Sequence, residues 1–344
     1  MGTRTLTAAA MPTPEAQKPG DGADHKRWRD QAWFKWAKRV LSVVFFAAVI
    51  AMLVRYGRNV DWDDVLASLR STPVPVLLLA VGLAACSHLL YSCFDLLGRR
   101  YTKHSLPTLT VMGVNFVSYA FNLSLGSLVG GVAFRYRLYS RLGLSNGEIT
   151  RILSMSMLTN WLGYMLLAGT VFLMQPLQLP PSWKMGNHGL QWLGGALVMV
   201  AVGYLVACWR KGGQTFTVRG HELHLPEVRM ALLQLVMATT NWSLIAGVVY
   251  VLLGQSVPYS DVLTVLLIGA IAGVITHVPA GLGVLEFIFV TLLSHQVPET
   301  RLIAALLAYR AIYYIGPLML ASVLYLVMEA HARQRNKTAQ GVHA

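Results

Sequence analysis

Polar and charged side chains interrupt a long apolar stretch of this sequence, and their types suggest a binding site inside a membrane. The interrupting residues are one histidine, one proline, two glycines and one glutamate: His277, Pro279, Gly281, Gly283 and Glu286. Proline removes a backbone donor and disfavours helical geometry in the preceding residue. Broken backbone at membrane depth is tolerated only where protein or a wet cavity satisfies its polar groups. The pattern predicts a broken helix lining a polar site, with His277 either a headgroup ligand or a structural residue.

Arg310 lies well inside the next apolar stretch, where a charged side chain is costly. A charge at the centre of a transmembrane helix costs about 2.5–3.5 kcal/mol on insertion scales. Arg310 is therefore expected to face a cavity or a partner, and Glu286 is the natural candidate. The pair either holds two elements together or leaves the cation in contact with an anionic headgroup. Tyr309 and Tyr313, on either side of Arg310, either pack in the core or line the same polar path.

A second interrupted apolar stretch, residues 106–130, precedes a cluster of arginines. Its polar and small residues include Asn122 and three predicted hairpin breakers, Gly126, Gly130 and Gly131. Arg135 and Arg137 follow where this stretch is expected to leave the membrane. Arginine binds phosphate oxygens with paired hydrogen bonds, so one interpretation is a phosphate-binding patch. The other is a topology signal. Glu148, three residues after Ser145, is expected to complete a helix capping box.

Elsewhere the sequence shows no pattern typical of a catalytic or metal site. Two histidines and two glutamates lie in one polar segment, but their spacing is not the HExxH pattern of zinc enzymes; they are His221, Glu222, His224 and Glu227. No phosphate-cradling loop or nucleophile motif is found. We therefore expect no metal, no cofactor and no enzymatic activity.

The composition is that of a membrane protein. Of 344 residues, 55% are hydrophobic and 12% are charged, whereas a soluble globular protein usually carries about 25% charged residues. The net charge of +13 raises the question of nucleic acid. However, the lysines and arginines form short clusters between apolar runs, as membrane topology requires. We expect a membrane partner and no nucleic acid.

These residues must be positioned by apolar helices, so we predict an all-α polytopic membrane protein with about six full spans and two re-entrant helical hairpins. Residues 36–330 form a single membrane domain between a disordered basic tail, 1–35, and a C-terminal tail, 331–344. The predicted spans are about 40–56, 74–97, 149–175, 190–209, 230–253 and 300–328. The predicted hairpins are 106–130 and 261–295.

The distribution of basic residues is the reason for predicting hairpins that return to the side they entered. With that topology, 22 of the 28 lysines and arginines lie on one side, five lie on the other, and Arg310 remains in the membrane. The positive-inside rule makes the first side cytoplasmic, and both termini are then cytoplasmic. Residues 74–175 and 230–328 become two units of opposite orientation. Inverted repeats with broken helices are typical of secondary transporters.

Three sequence blocks resemble the lysylphosphatidylglycerol synthase transmembrane-region family, a flippase-like membrane domain. They are FRYRLYSRLGLSNGEITR, HVPAGLGVLE and ALLAYRAIYYIGPL, at residues 134–151, 277–286 and 305–318. The resemblance covers about residues 35–330. It identifies the family's motif positions as Arg135, Arg137, Glu148, His277, Pro279, Gly281, Gly283, Glu286 and Arg310. Two-domain members carry a separate C-terminal synthase domain, and this chain ends soon after its last span, so synthase activity is not expected.

The resemblance and the interrupted helices together lead us to expect an inner-membrane lipid translocator of a bacterium. It would move an anionic or aminoacylated phospholipid, or a related lipid, past Arg135, Arg137, His277, Glu286 and Arg310. The alternative is a non-transporting scaffold or regulator of envelope lipid or polysaccharide synthesis. Such a protein would bind a lipid-synthesis enzyme. A homo-oligomer is compatible with either function, and an integral-membrane enzyme is a third, less supported class.

Overall fold

A computed structural model of the chain describes residues 51, 54, 58, 62–174, 187–218, 221–276 and 281–341. The chain divides into two units, residues 1–55 and 56–344, and every element discussed below belongs to the second. Several predicted features lie outside the described residues. They are the tail 1–35, most of the span 40–56, most of the loop 176–189, and His277 and Pro279.

The described chain is built almost wholly of helices, which confirms the all-α polytopic membrane fold. We number the α-helices in chain order and call the two π-helices π1 and π2. The first half contains α1 Trp62–Ser71, α2 Val74–Ser92, α3 Phe94–Thr102, α4 Thr108–Leu125, π1 Ser127–Ala133, α5 Phe134–Arg141, α6 Asn146–Met174 and α7 Asn187–Lys211. The second half contains α8 Val228–Leu252, α9 Tyr259–Thr276, α10 Val284–Leu293, α11 Glu299–Arg310, π2 Ala311–Ile315 and α12 Gly316–Gly341.

Seven helical segments of the described chain are long and apolar enough to cross a membrane. They are Val74–Thr102, Thr108–Leu125, Asn146–Met174, His188–Lys211, Val228–Leu252, Tyr259–Thr276 and Glu299–Ala330. Five of them coincide with predicted full spans, and the other two are the first limbs of the predicted hairpins. Three of the helices start directly after a proline, at Pro73, Pro107 and Pro298. Proline suits this position because its fixed φ and missing N–H cost nothing where no intrahelical partner exists.

The first hairpin reverses at Gly126, whose φ of +88° favours glycine. Helix π1 then returns against α4 and continues into α5. Gly130 and Gly131 were predicted to break the hairpin, but both lie inside the continuous helix π1. Their role is close packing, because a Cβ on Gly130 would lie 2.1 Å from the backbone nitrogen of Asn122.

The second hairpin consists of α9 and the shorter α10, which packs back against it. Gly281 and Gly283, at φ +58° and +79°, lie in the connection just before α10. The two limbs approach closely where Leu285 of α10 contacts Gly269 of α9. The predicted breaking role of both connecting glycines therefore agrees with their backbone conformation.

The helices of the two predicted repeat units contact one another in a reciprocal manner. Their first spans, α2 and α8, pack together. Helix α4 of the first hairpin packs against α12, and α9 of the second hairpin packs against α6. Helix α8 also packs against α6, as α2 does against π2. Each unit is thus built against the hairpin and the last span of the other.

Two segments outside the hairpins differ from the predicted loops and tail. The basic segment after α7 contains a two-stranded antiparallel ribbon, β1 Thr215–Val218 and β2 His221–His224. Helix α12 continues to Gly341, so the backbone of most of the predicted C-terminal tail is helical.

Candidate functional site

A cavity of about 660 Å³ lies between the two hairpins. Its lining comes from α2, the first hairpin with the start of α5, the facing ends of α9 and α10, the middle parts of α6 and α8, and the junction of α11 with π2. The polar and aromatic lining residues are Tyr91, Tyr119, Asn122, Ser127, Arg135, Asn160, Trp161, Trp242, Tyr309, Tyr313 and Tyr314. The lining also includes three of the predicted breaker glycines, Gly126, Gly131 and Gly281. The structure therefore brings together both interrupted regions of the sequence.

Both π-helices contribute to this cavity. Ser127, Leu128 and Val132 of π1 line one side, and Tyr313 and Tyr314 of π2 line another. A π-helix displaces side chains from the regular α-helical positions and is frequent at functional sites. In the sequence, only the glycines of π1 indicated an irregular helix, and nothing indicated π2.

One wall of the cavity carries a chain of buried hydroxyl groups. The Ser87 hydroxyl donates to Asn241 Oδ1 at 2.8 Å. Since its proton is used there, Ser87 accepts from the Tyr313 hydroxyl at 2.7 Å, and Tyr313 in turn accepts from Tyr119 at 3.0 Å. The chain joins α2, α4, α8 and π2, and Tyr119 and Tyr313 reach the cavity lining. The predicted site residue Tyr313 is therefore part of a polar network.

Two tryptophans that the sequence analysis did not assign to the site form another wall. Trp161 and Trp242 line the cavity, and Tyr164 lies between them with ring-centroid distances of 5.6 and 5.3 Å. Both tryptophans follow a Thr-Asn pair, once in α6 and once in α8. This repeated triplet was the signal in the sequence that could have identified them.

Arg310 and Glu286 form the ion pair that the sequence suggested. Arg310 Nη2 donates to Glu286 Oε2 at 2.8 Å, and its Nε donates to Oε1 of the same carboxylate. Nη2 also donates to the carbonyl of Gly281 at 3.1 Å, and the guanidinium lies 5.6 Å from the Tyr314 ring centroid. Glu286 Oε2 additionally accepts from the Gly283 N–H at 3.0 Å. The pair thus fastens the connection of the second hairpin to the last span, directly behind the cavity lining.

Arg135 is buried rather than placed in an exposed loop, because π1 and α5 extend the returning limb of the first hairpin. Its Nε donates to Asp95 at 3.1 Å and its Nη1 to the Gly131 carbonyl at 3.1 Å. Its Nη2 donates to Asp95 at 3.3 Å, Ser156 at 3.2 Å and Asn115. In the sequence Asp95 stands close to the basic residues 99, 100 and 103, but its partner in the structure is Arg135, forty positions further along the chain.

Arg137 lies on the same helix as Arg135 but in a different cluster. It approaches Glu329 of α12, with 3.7 Å between Nη2 and Oε1, and Arg141 contacts the other carboxylate oxygen. Two guanidinium groups thus approach one carboxylate. The cluster ties the end of the first hairpin to the last span.

Glu148 caps α6 as predicted. Its carboxylate accepts from the backbone N–H and hydroxyl of Ser145 at 2.8 and 2.7 Å, and its own N–H donates to the Ser145 hydroxyl at 3.3 Å. Among the described residues, the cavity lining does not include Glu148, Arg137, Glu286 or Arg310. Asn122, Arg135, Tyr309 and Tyr313 are the predicted site residues that line it directly.

Part of the cavity rim faces outward from the protein. Leu128, Met157 and Val274 belong to the lining, yet their exposed fractions are 77%, 44% and 49%. Exposed apolar side chains on a membrane helix face lipid tails. The cavity therefore has an apolar opening at the protein surface between the first hairpin, α6 and α9. Within the described ranges no group of three metal-ligating side chains is found.

Fold and site together define a polytopic helical membrane protein with a polar cavity between two broken helical hairpins. Residues 39–321 match the family described as "Lysylphosphatidylglycerol synthase TM region", and the chain belongs to this family.

Three proteins are similar to this chain over most of its length. "Inner membrane protein YbhN" of Escherichia coli (strain K12) is 46% identical over 311 residues, covering 90% of this chain and 96% of that protein. "Uncharacterized protein slr0712" of Synechocystis sp. is 31% identical over 304 residues, covering 86% and 92%. "Phosphatidylglycerol lysyltransferase" of Staphylococcus haemolyticus is 23% identical over 296 residues, covering 83% of this chain but 33% of that protein.

Proposed function

We propose that this protein is a lipid translocator that moves an anionic or aminoacylated phospholipid, or a related lipid, between membrane leaflets. The observation that carries the proposal is the cavity itself. It holds polar and aromatic groups between two broken hairpins and has an apolar opening at Leu128, Met157 and Val274. A headgroup can enter such a cavity while the acyl chains stay among other lipids. The name of the E. coli relative supports the inner membrane as its location.

The reciprocal packing of the two units supports a transport cycle. Each hairpin packs against the last span of the other unit, which fits an inverted repeat around the cavity. We propose that both hairpins are re-entrant and that the termini are cytoplasmic. Rocking of one unit against the other would then open the cavity to each leaflet in turn.

The charge distribution suggests how an anionic headgroup approaches. Among the described residues, the cluster of Arg137, Arg141 and Glu329 places two positive charges and one negative charge at one end of the first hairpin. A phosphate is attracted by the positive charges before it enters the cavity. Arg135 is neutralised by Asp95, so it orients the hairpin and adds little attraction of its own.

Blocking the cavity tests the proposal directly. Gly273 of α9 lines the cavity, and a Cβ there meets no atom within 4 Å. Gly273→Trp should therefore place an indole in the path without displacing backbone. Purified protein is reconstituted with fluorescent phospholipids of several headgroups, and the fraction that a membrane-impermeant reductant bleaches is followed in time. We expect the wild-type protein to move lipid between the leaflets and the variant to do so at a rate at least about tenfold lower. A tenfold lower rate corresponds to a barrier that is higher by about 1.4 kcal/mol.

Gly203→Trp is the matched control, because Gly203 also has open space around it but lies on α7, away from the lining. Its rate should equal that of the wild type. Equal rates for all three proteins would overturn the proposed path. The absence of movement with every headgroup, from protein shown to be folded, would overturn the translocator function and favour the scaffold alternative.

The same assay distinguishes a structural role of Arg310 from direct contact between Arg310 and the headgroup. If Arg310 and Glu286 only hold the hairpin, the double variant Arg310→Gln with Glu286→Gln removes both charges and should retain movement. If Arg310 also meets the headgroup, the double variant folds but loses movement. Arg310→Gln alone is uninformative here, because it leaves Glu286 without its partner.

A further inference from the structure

A buried carboxylate near the end of the last span, Glu329, meets two arginines of the first hairpin. The apolar segment Glu299–Ala330 ends one residue beyond it. Its side chain is 6% exposed, whereas those of Arg137 and Arg141 are 13% and 33% exposed. Arg137 Nη2 lies 3.7 Å from Oε1 of the carboxylate, and Arg141 Nη1 contacts Oε2. Each oxygen of this carboxylate therefore faces a guanidinium group.

The cluster of these three residues lies at the depth of lipid headgroups. The apolar segment of α6 starts at Asn146, five residues after Arg141, and that of α12 ends at Ala330. The ends of membrane spans lie in the interfacial layer of the bilayer, where the phosphates of lipids are found. The cluster is therefore within reach of phosphates in one leaflet, which the predicted topology makes the cytoplasmic one.

The same cluster joins the first hairpin to the last span of the other unit. One turn deeper in the membrane, the rings of Phe134 and Tyr325 meet edge to face, with centroids 5.1 Å apart. Helix α4 of the hairpin also packs against α12. The ionic contact is thus the outer end of an interface between two parts that the proposed transport cycle moves relative to each other.

A lipid phosphate offers the two arginines the same chemistry as the Glu329 carboxylate. Both anions accept paired hydrogen bonds from a guanidinium group. Arg141 is the most exposed member of the cluster, so an anion from the membrane surface reaches it first. Two anions on one pair of guanidinium groups repel each other, so phosphate binding opposes the contact with Glu329.

We propose that Glu329 holds the place of a lipid phosphate. An anionic phospholipid displaces the carboxylate from Arg137 and Arg141, and this exchange releases the first hairpin from α12. The proposal rests on the proposed function, and it adds the site where the phosphate binds first and the contact that its binding opens.

The sign of one substitution tests the competition. Glu329→Gln removes the competing charge, so dihexanoyl phosphatidylglycerol should bind at least about fivefold more tightly than to the wild type, as loss of one partly exposed ion pair allows. Arg141→Gln should weaken binding by a similar factor. Each protein is held in phosphatidylcholine nanodiscs and titrated with the lipid below its micelle concentration, by isothermal titration calorimetry. A purely structural cluster predicts no gain of affinity in Glu329→Gln.

Glu227→Gln and Arg229→Gln are the matched controls. Both residues are exposed at the start of α8, and the substitutions change the net charge by the same amounts. Their affinities should stay within about twofold of the wild type. Inorganic phosphate and dihexanoyl phosphatidylcholine are the further probes. Inorganic phosphate that binds as tightly as phosphatidylglycerol would overturn a lipid as the ligand, and an equal gain for phosphatidylcholine would overturn the recognition of an anion.

The release of the hairpin is measured with the cluster intact. Spin labels are attached to Ser140→Cys on α5 and Ala330→Cys on α12, both exposed positions, in a background without the native cysteines. Dihexanoyl phosphatidylglycerol should lengthen the distance between the labels by about 2 Å or more, as helix shifts in switching proteins do. The control pair is Ser140→Cys with Asn146→Cys on α6, within the same unit, and its distance should not change.

Equal or weaker binding of phosphatidylglycerol to folded Glu329→Gln would overturn the competition, and an unchanged distance between α5 and α12 would overturn the release. If Glu329→Gln does not fold, the distance measurement decides, because it keeps all three residues of the cluster. Failure of this site is distinct from failure of the proposed function. Lipid movement by the wild type with neither effect sinks the site alone. Both effects without lipid movement sink the translocator and leave a membrane protein that responds to anionic lipid.

Discussion

Arg135 and Arg310 show how a buried charge constrains this protein at the scale of single residues. Each guanidinium contacts one carboxylate and at least one backbone carbonyl of a hairpin. The Asp95 side chain has no exposed surface, whereas that of Glu286 is 20% exposed. Removing the partner of a buried charge costs more where water cannot replace it. The two pairs should therefore differ in their contribution to stability.

Asp95→Asn should lower the free energy of unfolding by about 3–5 kcal/mol, because it leaves Arg135 charged and dry. Glu286→Gln should cost less, since water reaches that site. Thermal unfolding of both variants in nanodiscs measures the difference. The double variant Asp95→Asn with Arg135→Gln is the control, and it should recover part of the loss. A single Asp95→Asn variant as stable as wild type would show that the pair contributes nothing.

At the scale of elements, the first hairpin depends on a close approach of two helices. Helix π1 lies so near α4 that Gly130 has no room for a Cβ beside Asn122. Asn122 also lines the cavity. Gly126 forms the turn of the same hairpin. Open space surrounds this residue, so only its positive φ disfavours other residue types. The two glycines therefore serve different physical purposes.

Gly130→Ala should destabilise the hairpin by more than about 2 kcal/mol, because the contact is with backbone that cannot move aside. Gly126→Ala should cost about 1–2 kcal/mol, from the left-handed conformation alone. Gly82→Ala, in open space on α2, is the control and should be neutral or slightly stabilising. Thermal unfolding ranks the three variants. An order in which Gly126→Ala is the most damaging would contradict this account of the packing.

At the scale of the whole molecule, the central question is whether each hairpin returns to the side from which it entered. Helix α4 is long and apolar enough to cross, and so is α9. Their returning limbs lie against them, which supports a return. The bias of 22 of 28 basic residues towards one side supports the same topology. The opposite orientation of the two units depends on this topology.

Single cysteines in a background without Cys86, Cys93 and Cys208 test this topology. Lys103→Cys precedes the first hairpin and Ser140→Cys follows it, and both positions are exposed. We expect an impermeant maleimide to label both from the same side of the membrane. Ser256→Cys and Ser294→Cys flank the second hairpin and should both be labelled from the opposite side. Labelling of Lys103→Cys and Ser140→Cys from different sides would show that the first hairpin crosses the membrane and would remove the inverted repeat.

The sequence by itself determined the membrane class, the five full spans that the structure describes, the capping of α6 and the positions of both interruptions. These depend on hydropathy, on proline and glycine geometry and on contacts a few residues apart, all of which are local. It also suggested the pairing of Arg310 with Glu286, because a charge in an apolar helix demands a partner. Whether Glu148, Arg137 or His277 contacts a lipid stays a prediction.

Only the tertiary structure decided which carboxylate meets Arg135 and which walls enclose the cavity. The arginine pairs with Asp95 because α3 and α5 both pack against α4 and α6, an arrangement that no local pattern encodes. Ser87 and Asn241 are more than a hundred and fifty positions apart in the chain, yet they share one hydrogen bond. The chain of buried hydroxyl groups exists because α2, α4, α8 and π2 converge there. Such convergence is a property of packing between distant segments, which is why the sequence indicated a site but left its chemistry to the fold.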